Sequence, residues 1–211
     1  MKILKISQSQ EDELYFAALD DKNMSLAQSM VYDAAKKARY PEGPFWHGTD
    51  SDFTVFKNKG GKVHVLFSTI DIPRSGYFFS DNEEVAKSFG DKVMGVFLSM
   101  EQTADFTSNY TGHIIEELVQ KGFNERWFYY GNMWDKFDDS DGAWLVFTLK
   151  SLGYDSAIIP EPGTDEREDS TSYIVFDQNQ MKLSDPITFN DNGTVIPLSQ
   201  RFNPLMYDIR Y

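Results

Sequence analysis

The stretch Phe45-Trp46-His47-Gly48-Thr49 is where the sequence says most about the fold and the function. Its two aromatic residues favour a half-buried β-strand, and the preceding Pro41-Glu42-Gly43-Pro44 segment is typical of a turn. A histidine followed by a glycine lets a ligand contact an imidazole and unobstructed backbone at one place. A lone histidine is more often a hydrogen-bonded, partly buried group, so the downstream sequence has to decide between these two interpretations.

The composition is that of an acidic globular chain without cysteine. The 211 residues carry a formal net charge of -13, so we expect no binding to nucleic acid or to anionic membranes. A hydrophobic share of 41% is enough to bury a sizeable core. Without cysteine the chain forms no disulfide, thiolate metal site or cysteine nucleophile. The three histidines, His47, His64 and His113, lack the spacing of a zinc motif, and we predict no metal site.

The ends and the apolar runs of the sequence indicate a protein outside the membrane. The segment Met1-Lys2-Ile3-Leu4-Lys5-Ile6 becomes polar too early for a signal peptide. No apolar run approaches the roughly 18 residues that a transmembrane helix needs. We therefore expect a cytoplasmic location.

Hydrophobic periodicity predicts helices first and mostly strands afterwards. Residues 1–40 read as two helices, one capped by Ser9 or Asp12 and one capped by Ser25. The second would carry an apolar stripe of Leu26, Met30, Ala34 and Ala38. Strands are predicted at Phe53–Phe56, Val63–Phe67, Gly76–Ser80, Val93–Leu98, Ser156–Ile159 and Tyr173–Phe176, with helices at Glu83–Phe89, at His113–Gln120 and from Asp139–Asp141 to Leu152. Because the helices do not alternate regularly with the strands, we predict an α+β fold on a mixed or antiparallel sheet.

Three stretches follow one another in a recognisable order. They are Trp46-His47-Gly48-Thr49, Gly76-Tyr77-Phe78-Phe79-Ser80-Asp81, and Ser172-Tyr173-Ile174-Val175-Phe176-Asp177 leading to Gln180-Met181-Lys182. Together they resemble the core of the ADP-ribosyltransferase fold of the diphtheria-toxin type, which includes the poly(ADP-ribose) polymerases. Each stretch is weak alone, and their order and spacing carry the resemblance.

The similarity is greatest to the ADP-ribosyltransferase-like domains in polyvalent proteins of phages and other mobile elements. It extends to Ala27-Gln28 and Ala34-Ala35-Lys36 near the N-terminus, and to Asp185-Pro186, Asp191-Asn192-Gly193, Val195–Ser199, Arg201-Phe202 and Asp208–Tyr211 in the tail. The resemblance implies a split mixed or antiparallel sheet with inserted helices. We expect an N-terminal helical bracket at 1–40, a core at 41–190 and a C-terminal tail at 191–211.

The resemblance also implies a binding site for NAD as co-substrate. The residues it assigns to the cofactor are His47, Gly48, Thr49, Tyr77, Phe78 and Phe89. His47 would bind a ribose hydroxyl of the adenosine half, and the Gly48 backbone would bind the carboxamide. Phe78 and Phe89, the latter on the following helix, would stack on opposite sides of the nicotinamide, although ordinary core packing explains both equally well. The family commonly has tyrosine where Phe78 stands, while Tyr77 comes one position earlier.

The main departure from the family concerns the catalytic glutamate of the last strand, which aligns with Ser172. Serine cannot stabilise a developing cation as a carboxylate does, and three alternatives follow. A carboxylate from the preceding polar segment, Glu166, Glu168 or Asp169, substitutes for it; or transfer proceeds with a non-acidic triad; or the domain binds NAD or an ADP-ribosylated ligand without catalysis. A solvent-exposed loop is the ordinary explanation of the acidic run.

The leading hypothesis is an NAD-dependent mono-ADP-ribosyltransferase of phage or mobile-element origin. Its catalytic candidates are His47, Ser172, Glu166 and Glu168, and its partners are NAD and a host or phage protein. The alternative is an inactive binding or virion-associated module that has lost the strand glutamate. A third hypothesis, suggested by the net charge alone, is an acidic nucleic-acid mimic that binds a basic host protein. The sequence leaves the target and the oligomeric state open.

Overall fold

The computed structural model describes residues 7–57, 61–65, 68–72, 76–108, 111–138, 141–161 and 170–211. It confirms the α+β prediction, with a seven-stranded mixed sheet, a separate two-stranded antiparallel sheet and several helices. In chain order the elements are α1 Gln8–Asp20, α2 Met24–Lys37, β1 Glu42–Thr49, β2 Gly61–Val65, β3 Ser68–Ile72, β4 Tyr77–Ser80, α3 Glu83–Lys87, β5 Lys92–Leu98, β6 Thr103–Asp105, α4 Thr111–Gln120, α5 Glu125–Tyr129, α6 Met133–Asp138, α7 Gly142–Ser151, β7 Ser156–Pro160, β8 Thr171–Val175 and β9 Met181–Leu183.

Both N-terminal helices form, but their caps lie earlier in the chain than the sequence suggested. α1 begins after Ser7, whose hydroxyl accepts the backbone N–H of Gln10 at 3.3 Å while the Gln10 amide oxygen accepts the Ser7 N–H at 2.9 Å. α2 is capped by Asn23 rather than Ser25, because the Asn23 amide oxygen accepts the backbone N–H of Leu26.

The buried stripe of α2 is shifted by one residue from the predicted one. Ala27, Val31 and Ala35 are fully buried, whereas Leu26 is 47% exposed. The small alanines let α2 approach its neighbours closely, and the stripe packs in one cluster with Tyr15 of α1, Phe97 of β5, and Leu198 and Phe202 of the tail. The N-terminal helices are therefore joined to the sheet and to the tail by a shared core.

The large sheet has the strand order β6-β7-β8-β4-β1-β5-β9. Only β6 and β7 run parallel; the other neighbours are antiparallel. β1 pairs with β5 along its length, but with β4 through one pair, Trp46 opposite Ser80. The sheet is therefore split between β1 and β4, because the two strands separate after this single pair.

The pairing register fixes which side chains share a face of the sheet. Directly opposed residues of an antiparallel pair point the same way, and neighbours along a strand point opposite ways. The opposed series runs Trp46, Ser80, Ser172 and Ile159 across β1, β4, β8 and β7. Gly48 and Phe78 lie two residues along their strands from this series and share its face. His47 and Phe79 belong to the opposite face.

Three predicted elements differ from the structure. Phe53–Phe56 forms no strand, and Val55 makes only an isolated bridge with Asp208 of the tail. The helix predicted to reach Phe89 ends at Lys87 and is capped by Asn82. The last helix begins at Gly142, after Asp141, whose side chain makes no capping bond; residues 139 and 140 lie outside the described part of the chain.

Candidate active site

A cavity of about 660 Å³ opens where β1 and β4 separate. It is lined by residues of all three stretches singled out in the sequence. The predicted site residues on its wall are His47, Gly48, Thr49, Tyr77, Phe78, Phe89 and Ser172. Because β1 and β4 diverge there, side chains from both faces of the sheet reach one space. Glu166, Glu168 and Asp169 lie outside the described residues.

The split between the strands also explains the position of His47. Its Nδ1 lies 2.9 Å from the carbonyl oxygen of Phe78. Since a carbonyl only accepts hydrogen bonds, Nδ1 carries the proton in this contact. The imidazole ring is further held by edge contacts with Phe53 and Phe56 and by a tilted contact with Phe79. His47 is thus a partly buried, oriented imidazole on the cavity wall, which combines both interpretations of the sequence.

The glycine of the histidine-glycine step has a packing role. A Cβ atom on Gly48 would lie 1.8 Å from the carbonyl oxygen of Ala86 at the end of α3. Nearby, a Cβ on Gly90 would lie 2.3 Å from the carbonyl carbon of Thr49. Such distances are far below van der Waals contact, so both positions need glycine for the chain after α3 to pack on β1. The close approach places Phe89 beside the cavity.

Phe78 and Phe89 both reach the cavity, but a third aromatic side chain bridges them. The Trp134 ring centroid lies 5.4 Å from that of Phe78 and 6.1 Å from that of Phe89, and it is nearly parallel to the latter. Phe89 is 49% exposed and follows α3 instead of lying on it. Trp134, on α6, was missed because it is distant in sequence from all three stretches.

Tyr77 contributes to the cavity wall mainly through core packing. Its ring lies on the same face as that of Phe79 and makes an edge contact with Phe56. Burial raises the pKa of the Tyr77 hydroxyl above its usual value. Phe78, one residue later, points to the opposite face and packs against Ile174 and its neighbours.

Ser172 contacts a carboxylate that was not among the predicted site residues. Its hydroxyl donates a hydrogen bond to the carboxylate of Glu161, which directly follows β7. Ser172 is 3% exposed and Glu161 is 6% exposed, and both line the cavity. In the sequence, Glu161 reads as part of the acidic polar loop. The signal that could have found it is the alternation Ala157, Ile159, Glu161, which places all three side chains on one face.

Two other charged side chains line the cavity among the described residues. Asp50 is exposed, and its carboxylate accepts the backbone N–H of Asp91 at 3.0 Å. Lys57 is exposed and supplies a positive charge. Glu161 is therefore the buried carboxylate of the cavity wall as far as the structure describes it.

The described residues hold neither a metal cluster nor a helical membrane span. No cluster of three or more histidine, aspartate or glutamate side chains is arranged to hold a metal ion within that part of the chain. None of the helices described there has the length and apolar character needed to cross a lipid bilayer.

Similarity to known proteins identifies the family of this chain. Neither a curated protein nor a solved structure matches the chain. A family model described as ADP-ribosyltransferase in polyvalent proteins matches residues 43–190, which include β4, β8, nearly all of β1 and all the described residues of the cavity wall. This match covers well over half of the sequence, and the mixed α+β sheet is the architecture that the resemblance implied. The chain belongs to the family of ADP-ribosyltransferases in polyvalent proteins.

Proposed function

We propose that this protein is an NAD-dependent mono-ADP-ribosyltransferase, of phage or mobile-element origin, that modifies a host macromolecule. One observation carries the proposal: the split of the sheet gathers His47, Gly48, Phe78 and Ser172 around a single cavity. A volume of about 660 Å³ is in the range of small-molecule and cofactor sites. Family membership supports the transferase activity.

The proposed reaction breaks the bond between the nicotinamide nitrogen and C1′ of its ribose. Nicotinamide leaves with the bonding electron pair, and positive charge develops on the ribose as C1′ loses its partner. A nucleophilic side chain of the target then forms a bond to C1′ and releases its proton to water. The protein has to orient the two halves of NAD. It also has to stabilise the transition state, in which the ribose is positively charged, more than it stabilises bound NAD.

The wall residues suit these tasks at different ends of the cofactor. The imidazole of His47, oriented by its Nδ1 contact to the Phe78 carbonyl, suits a ribose hydroxyl of the adenosine half. Lys57 offers positive charge to the pyrophosphate. The flat faces of Phe78 and Phe89 suit the nicotinamide ring, once the Trp134 indole that bridges them moves aside.

A second function is a module that binds NAD or an ADP-ribosylated ligand without cleaving it. The observation that favours it is Ser172, an uncharged residue at the position where the family carries its strand glutamate. In this case the cavity would bind the nucleotide, but nicotinamide would not be released.

The test is transfer of label from tagged NAD to proteins of a bacterial lysate, with nicotinamide release measured in parallel. The variant His47→Ala removes the oriented imidazole, and His113→Ala is its matched control because His113 is exposed on α4. We expect labelled proteins with the wild type and with His113→Ala, and little or no label with His47→Ala. NAD binding by calorimetry without nicotinamide release from the wild type would refute the transferase and support the binding module.

A further inference from the structure

We infer that Glu161 supplies the carboxylate that the ribose cation needs, and that Ser172 positions it. This inference rests on the proposed function and deepens it by assigning the charge-stabilising group. The carboxylate would come from the end of β7 rather than from β8, one strand away from the position where the family carries it. The Glu161 side chain crosses to β8 and meets the serine that stands in that position.

The pleat of the sheet places Glu161 correctly for this role. Ile159 opposes Ser172 in the β7–β8 ladder, so the two side chains share a face. Glu161 is two residues beyond Ile159 and points the same way. Phe78 shares that face through its pairing with Ile174. The carboxylate and Phe78, which is part of the aromatic wall proposed for nicotinamide, are therefore on one side of the sheet.

Among the described residues, the buried carboxylate has no charged partner that would explain its burial. A charged group that is 6% exposed costs free energy unless it is paired, and the partner that the structure gives it is a neutral hydroxyl. The Glu161 side chain is not needed to hold residues 161 and 170 together. The backbone N–H of Glu161 donates to the Ser170 carbonyl at 3.1 Å, and the Thr171 N–H donates to the Asp81 carboxylate at 3.0 Å. A carboxylate buried on a cavity wall beside a neutral partner is a candidate for a role in ligand binding or catalysis.

In the proposed step, the Glu161 carboxylate faces the ribose while the C1′–nitrogen bond lengthens. It accepts a hydrogen bond from a ribose hydroxyl and stabilises the cation electrostatically, and it forms no covalent bond. The Ser172 hydroxyl donates to one carboxylate oxygen, which fixes the direction of the other. The protein exposes a fixed negative charge to the transition state in a partly enclosed cavity, where such charges act most strongly.

The test compares Glu161→Gln with Glu13→Gln, an exposed glutamate of α1 that serves as matched control. Glutamine keeps an oxygen that can accept the hydrogen bond from Ser172, so we expect the variant to fold. An unchanged melting temperature would verify this. We expect Glu161→Gln to bind NAD with a Kd within about threefold of the wild type, and to release nicotinamide about 10²- to 10⁴-fold more slowly, the range for a lost charge-stabilising or acid–base group. Glu13→Gln should match the wild type in both measurements.

Ser172→Ala separates positioning from catalysis. It keeps the carboxylate and removes its donor, so we expect kcat for nicotinamide release to fall about 10- to 100-fold, the effect of one hydrogen bond to a charged group, with KM for NAD unchanged. An active wild type with an equally active Glu161→Gln variant would overturn this inference and leave the proposed function standing. A wild type that binds NAD but releases no nicotinamide would overturn the proposed function, and this inference with it.

Discussion

Replacement of Gly48 by alanine should lower the stability of the protein and should also disturb the cavity. The new Cβ would lie 1.8 Å from the Ala86 carbonyl oxygen and 3.1 Å from the Phe89 Cβ. Relieving the first contact requires a shift on the order of 1.5 Å between β1 and the end of α3, since carbon and oxygen rarely approach below roughly 3.2 Å. The obstacle is backbone at the end of a helix, so no side-chain rotation removes it.

Overpacking of this kind costs about 1–3 kcal/mol, and a clash with backbone belongs at the upper end. For a chain of 211 residues each kcal/mol lowers the melting temperature by about 2–4 °C. We therefore expect Gly48→Ala to melt roughly 6–12 °C below the wild type. NAD binding should weaken as well, because Phe89 moves together with the end of α3.

Thermal unfolding followed by circular dichroism, with Gly112→Ala as control, measures the effect. Gly112 lies on α4 with no atom within 4 Å of its would-be Cβ, so the same chemical change should be neutral or stabilise by about 0.5–1 kcal/mol. If Gly48→Ala melts within about 1 °C of the wild type, the packing explanation of this glycine is wrong. If it also loses NAD binding, the glycine serves the ligand alone, as the sequence first suggested.

Three further changes test other parts of the structure. Trp134→Ala should bind NAD about two- to tenfold more tightly, because the ring contacts of about 0.5–1.5 kcal/mol that a ligand has to displace are gone; weaker binding would show that the indole stacks on the ligand instead. Val31→Ala should destabilise the protein by about 2 kcal/mol and Leu26→Ala by less than about 0.5 kcal/mol in urea unfolding, and equal losses would contradict the buried stripe of α2. Burial lowers the pKa of Lys182 to about 8 in the folded protein. Between pH 8 and about 10.4 the Lys182 amine is therefore protonated in the unfolded chain but largely neutral in the folded one. The unfolding free energy of the wild type should therefore rise with pH relative to Lys182→Met, by less than about 1.4 kcal/mol per pH unit, and a flat difference would contradict the low pKa.

The parts of the site that the sequence predicted are those encoded in single strands. The aromatic run before His47 and the run from Tyr77 to Phe79 have the composition of β-strands. The alternation of side chains along a strand is enough to place Phe78 on the opposite face of the sheet from Tyr77 and Phe79. Their shared order allowed the family to be recognised. These features are local in the sequence, so predicting them required no information about which strands become neighbours in the sheet.

The parts that were missed depend on contacts between distant segments. Glu161 opens an acidic segment and reads as loop until the β7–β8 register shows that it points toward Ser172. Trp134 lies on α6, and the contact of its ring with Phe78 has no local signature in the sequence. On α2, a spacing of four residues drifts by about 40° per step, so two neighbouring stripes fit the sequence almost equally well, and packing against Phe97 selects the one with Val31.

The backbone pairing of residues 161 and 170 has a consequence for how this protein can diversify. The Glu161–Ser170 backbone bond joins the two residues that flank the segment 162–169, and Asp81 holds Thr171 from outside it. The length and composition of what lies between can change with little effect on the Glu161–Ser172 pair, since doubling a loop costs only about 0.6 kcal/mol of closure entropy. Insertions and deletions within residues 162–169, by recombination or by design, should therefore leave the pairing of residues 161 and 170 intact.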